Sequence, residues 1–131
     1  MPARVPLNGA CDPWELALRM ADEPRCVAFI GEWVGGGALL ADRPARVAGG
    51  GDAFDIVDAD RSGAWAGWWG YRAAEGAFDL ACYEHVVVHE SGRWWVERTT
   101  ETGAVEAAVV ERWQRRLEST AVAADFRVGG P

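Results

Sequence analysis

Apolar positions recur along the chain in two rhythms, and the change from one to the other sets out its elements. Trp14, Ala17, Leu18 and Ala21 share one face of a short helix that opens at Asp12-Pro13-Trp14-Glu15 and stops before Pro24. Asp12 can accept from the free amides, Pro13 suits the first helical position, and Glu15 lies at the third. Cys26-Val27-Ala28-Phe29-Ile30 and Ala38-Leu39-Leu40-Ala41 are apolar runs on either side of Gly35-Gly36-Gly37, which predicts an antiparallel pair. Ala45–Ala48 reads as a further strand, and Asp52 as the cap of a one- or two-turn helix with Phe54 and Val57 facing inward.

Ser62-Gly63-Ala64-Trp65-Ala66-Gly67-Trp68-Trp69-Gly70-Tyr71 places glycines between large aromatic rings. That pattern suits a strand whose rings fill a core while other backbone passes close by, and it predicts the central strand of the domain. A helix would lose roughly 1 kcal/mol at each interior glycine. Asp79 to His89 is one long β-rich run, Ser91-Gly92 turns it, and Arg93–Arg98 returns beside it as a hairpin. Over 103–118, Val105, Val109, Trp113 and Leu117 form one helical stripe, with Glu106, Glu111, Arg112, Arg115 and Arg116 mostly on the other side. The expected fold is therefore α+β, a largely antiparallel sheet with two or three flanking helices. Residues 11–119 form one domain, 1–10 an extended or frayed arm, and 120–131 a linker.

Composition narrows the function classes. A chain of 131 residues, half of them hydrophobic, is long enough to bury a core. Its net charge of −7 argues against nucleic acid or an anionic membrane as partner. The thirteen basic residues are all arginine. Cys11, Cys26 and Cys82 are odd in number and lack CxxC spacing, so they read as free thiols of a reducing, cytoplasmic compartment. No signal peptide or membrane-spanning run is visible.

Candidate chemistry is sparse. Gly35-Gly36-Gly37 lacks the Lys-Ser/Thr of a phosphate loop, and Asp55, Asp58 and Asp60 lack the glycine and glutamate of a calcium loop. His85 and His89 share a strand face with Val87, without an HExxH helix, and are expected on the solvated side of the hairpin. A metal site there would draw on Cys82 or Glu90, and an independent small enzyme would rest on the two histidines. Cys82 and His85 are badly placed on a strand to act as nucleophile and base. Eight tryptophans suit core filling better than base stacking in so acidic a chain. The residues themselves thus predict no catalytic group and no metal site.

The order of these features resembles the N-terminal domain of component I of the chorismate-utilising synthases, the group of anthranilate synthase and aminodeoxychorismate (para-aminobenzoate) synthase. The resemblance runs from Asp12-Pro13-Trp14 through Val27–Ile30 and Gly35–Pro44 to the glycine-aromatic segment Gly63–Tyr71. It continues through Phe78–His89, Gly92-Arg93-Trp94-Trp95, Arg115-Arg116-Leu117 and Phe126–Pro131, and is closer to the aminodeoxychorismate type. It implies a noncatalytic structural or regulatory domain that works with a chorismate-binding catalytic domain and a glutamine amidotransferase subunit. Mg2+ is implied only for that catalytic domain, and no cofactor for this chain.

In several members of the family the N-terminal domain binds tryptophan. The positions that resemble that pocket are Gly31, Glu32, Trp33, Gly36 and Gly37, with glycine where the family carries serine, arginine and tyrosine. The resemblance therefore implies a vestigial pocket, filled by Trp33 or another indole of the chain itself. A free-standing small-molecule-binding or interaction module derived from the domain is the alternative, and self-association is expected of a domain that normally leans on a partner.

Overall fold

The computed structural model describes residues 3–31, 37–49, 51–59, 63–69, 78–100 and 103–119. Eight strands and three helices follow in chain order among them: β1 (Arg4–Leu7), α1 (Pro13–Arg19), β2 (Val27–Gly31), β3 (Gly37–Ala41), β4 (Arg46–Ala48), α2 (Ala53–Ala59), β5 (Ala64–Trp69), β6 (Phe78–Tyr83), β7 (His85–Glu90), β8 (Arg93–Arg98) and α3 (Ala107–Glu118). All pairings are antiparallel, so the fold is α+β as expected. The strands divide between two sheets, of order β1-β8-β7-β3-β2 and β4-β6-β5.

Side-chain alternation then stacks the layers. On one face of the five-stranded sheet Ala38, Leu40, Val87, Trp94 and Val96 meet Leu16 and Met20 of α1 and Val109, Trp113 and Leu117 of α3. Intervening residues Leu39, Ala41, Val86 and Val88 face the second sheet, where they meet Ala64, Ala66, Ala81 and Tyr83. On the far side of that sheet Phe78, Leu80 and Trp65 receive Ile56 and Val57 of α2. The order of layers is helices, sheet, sheet, helix, as the period of two along a strand requires when both faces are covered.

Residues 4–7 of the N-terminal arm pair with β8, with Val5 opposite Val96 and Leu7 opposite Trp94. Several expectations are corrected. Asp12 caps α1 by accepting from the Trp14 amide at 2.9 Å, but the buried residues are Leu16 and Met20, while Trp14 is 67% exposed. In α2, Asp52 accepts from the Phe54 amide at 2.9 Å, yet Phe54 faces outward and Ile56 takes its place inside. Among the described residues the aromatic strand β5 stands at an edge, bonded within its sheet to β6, which is the middle strand there. The long run at 79–89 is two strands broken at Glu84, each in a different sheet. Its break is made by nonlocal bonds: the Glu84 carbonyl accepts from the Thr99 amide at 2.9 Å, and Thr99 Oγ1 donates to the Tyr83 carbonyl at 2.7 Å.

The glycine reading of β5 holds in one particular. A Cβ on Gly67, whose φ is 156°, would stand 1.9 Å from the carbonyl oxygen of Asp79 on β6. Only glycine lets those backbones approach so closely.

Candidate functional site

Where the two sheets face one another they leave a cleft of about 340 Å³. Val27 and Phe29 on β2, Leu39 and Ala41 on β3 and Val86 on β7 form one wall; Ala64–Gly67 on β5 and Tyr83 on β6 form the other. Among the described residues no lining side chain is charged. Small residues on β5 hold the second wall back, since alanine at 64 and 66 fills less of the gap than the aliphatic side chains opposite. The Tyr83 hydroxyl donates to the Arg25 carbonyl, and burial raises the phenol above its ordinary value. Such a cleft selects by shape and apolar area, and suits a small neutral ring.

A second, polar cavity of about 240 Å³ opens on the other side of the same ribbon, between the β6–β7 corner and α3. Asp42, Arg43, Glu84, His85, Glu106 and Arg112 are among its lining residues. The Asp42 side chain is 1% exposed and sits between two guanidiniums: Arg112 Nη2 donates to Oδ1 at 2.9 Å, and Arg116 Nη1 lies 2.7 Å from Oδ2, off the line of a hydrogen bond. Arg116 also reaches Glu23 at 3.0 Å and covers the Trp113 ring at 4.5 Å. Glu23 receives Arg43 at 3.0 Å as well, and the hydrogen bond from Arg43 holds its carboxyl below the ordinary range. Two partly buried arginines one helical turn apart thus bolt α3 to the end of β3.

His85 is on the helix-facing side of β7, and so is not on a solvated face as the sequence suggested. Its Nε2 lies 3.3 Å from the Glu106 amide, which donates to it, and 3.4 Å from Arg98 Nη1. Burial and then the Arg98 guanidinium hold His85 below its ordinary value. His89, on the same face, tilts against Trp94 with ring centroids 4.6 Å apart. Four residues along a strand separate the two histidines by roughly 13 Å, too far for one metal ion. Among the described residues no group of three or more His, Cys, Asp or Glu could hold a metal. Cys82 is buried and Cys11 and Cys26 are partly exposed, and none of the three is in a disulfide.

Of the positions that resemble the family's tryptophan pocket, Gly31 and Gly37 pair with each other at the end of the β2–β3 hairpin. A Cβ on Gly37 would stand 2.2 Å from the His89 carbonyl oxygen, so this glycine serves close packing of β3 on β7. Glu32, Trp33 and Gly36 lie outside the described residues. Sequence reasoning missed Asp42: the spacing of Arg112 and Arg116 is visible, but their shared carboxylate is 70 residues from Arg112. No helix among the described residues is long and apolar enough to cross a membrane. Comparison with protein-family models, with curated proteins and with solved structures gave no match.

Proposed function

We propose that this chain is a noncatalytic small-molecule-binding domain of the kind found at the N-terminus of aminodeoxychorismate synthase component I. In that role it supports and regulates a chorismate-binding catalytic domain, which holds Mg2+ and receives ammonia from a glutamine amidotransferase. The reading extends to the anthranilate-type N-terminal domain, which the same sequence resemblance covers. The observation that carries it is the cleft of about 340 Å³ between two antiparallel sheets, whose described lining is uncharged. Burying an indole-sized ring of about 160 Å² at 25 cal/mol per Å² supplies roughly 4 kcal/mol before the cost of immobilising it, so binding is millimolar at its tightest. The described walls offer no charged partner for the ammonium and carboxylate of free tryptophan. The ligand of this cleft is then a neutral ring, or an indole of the chain itself.

Calorimetry with indole and with tryptophan tests the cleft: indole binds at millimolar concentration and tryptophan no tighter, and Ala66→Leu abolishes the indole heat. Tight stoichiometric tryptophan binding sinks the neutral-ring reading. The partner half is tested by mixing the chain with a separate chorismate-binding catalytic domain and assaying for a complex and for amination. Trp14, Val47 and Phe54, each more than half exposed, favour a second reading as an interaction module. A complex that forms without any effect on amination would select it.

A further inference from the structure

His85 Nε2 has two neighbours within reach, a backbone N–H and a guanidinium, and both can only donate. The lone pair must therefore be on Nε2, and the ring proton of the neutral histidine on Nδ1. We propose that His85 is an acid-sensitive latch, fastening the start of α3 to the β6–β7 corner and releasing it when Nε2 takes up a proton.

The start of α3 depends on this contact because its local cap is weak. Glu106 occupies the N-cap with no side-chain hydrogen bond to the helix, and its own amide is held by His85. Protonation turns the acceptor into a donor, so the Glu106 amide loses its partner. It also sets an imidazolium 3.4 Å from the Arg98 guanidinium. Every charged group facing the ring then redistributes. Glu84 at the corner and Glu106 on the helix, now 3.2 and 3.6 Å from Arg98, are drawn to the new cation. Arg112 on α3 and Arg43 beyond β3 repel it, while Asp42 is already taken by Arg112 and Arg116. Thr99 ties the corner independently, its amide donating to the Glu84 carbonyl at 2.9 Å and its hydroxyl to the Tyr83 carbonyl at 2.7 Å, so the corner holds and the helix end is what yields. Release widens the polar cavity and uncovers Val109, which is 8% exposed in the latched state. The bolt at Arg112 and Arg116 keeps the rest of α3 in place.

The test follows amide exchange at residues 106–110 of the whole chain by NMR from pH 7.5 to pH 5, corrected for intrinsic rates. Protection should fall about tenfold for each unit by which burial has lowered the histidine. His85→Gln presents a carbonyl oxygen that cannot titrate, and should leave protection flat over the same range. Ring 15N shifts of the wild type supply a readout that needs no variant: at pH 7.5 Nε2 of His85 should read as the bare nitrogen, with His89 as the internal reference. The proposal is overturned if protection stays constant in the wild type, if His85→Gln loses protection as the wild type does, or if the proton sits on Nε2 at neutral pH.

Discussion

Asp42 carries more of the structure than its lack of a motif suggests. Its side chain is 1% exposed and holds two arginines whose own side chains are 22% and 13% exposed. Removing one member of such a group leaves the others charged in a poorly hydrated place. Asp42→Asn should therefore cost about 3 kcal/mol, read as a lower urea midpoint with unchanged slope. Gly67 admits a similar argument from space. Gly67→Ala drives a methyl into the Asp79 carbonyl and should cost on the order of 2 kcal/mol, with loss of exchange protection confined to β5 and β6. For His85 the sign follows from burial. Its folded value lies below the ordinary one near 6.5, so the unfolded chain binds the proton first. The stability it contributes is present above that ordinary value and is lost as pH falls through the window down to the folded one. A urea midpoint measured across this window should slope for the wild type and flatten for His85→Gln.

At the scale of elements, α3 was legible because Val109, Trp113 and Leu117 repeat at four and nothing local competes with that stripe. Trp113 is 2% exposed, and Trp113→Ala should cost about 3–5 kcal/mol in chemical unfolding. The β2–β3 and β7–β8 hairpins were legible from apolar runs flanking glycine turns. In α1 two stripes are apolar, Trp14-Leu18 and Leu16-Met20, and only the sheet beneath decides between them. The break at Glu84 had no local sign, since neither glycine nor proline interrupts residues 78–90. It arises because residues 78–83 find partners in β4 and β5 while residues 85–90 find them in β3 and β8. Pairing over such separations is invisible to a window of a few residues. The same holds for the rank of β5: aromatic richness marks a buried strand as readily at an edge as in the middle of a sheet.

For the molecule as a whole, neither cavity was legible, because each is built from elements far apart in the chain. The cleft needs β2, β3 and β7 to meet β5 and β6, and the polar cavity needs β3, β6–β7 and α3. Exposed Trp14 on α1, Val47 on β4 and Phe54 on α2 lie on different elements, so self-association through them should be weak. Sedimentation should show a weight average that rises only at high concentration, and Phe54→Glu should lower that rise without changing the unfolding midpoint.

The break at Glu84 sets the two cavities on opposite sides of one short stretch of chain. Tyr83 and Val86 line the cleft, while Glu84 and His85, between them in sequence, line the cavity on the opposite side. The chain passes between the sheets both here and at 42–45, where Asp42, Arg43 and Ala45 border the same polar cavity, so a ring that pushes the sheets apart strains both crossings and the surroundings of the imidazole. By reciprocity of linked equilibria, whatever factor a cleft ligand applies to the proton affinity of His85, the proton applies to the affinity of the ligand. The short ribbon would then let a greasy ligand and a hydrogen ion sense each other without touching.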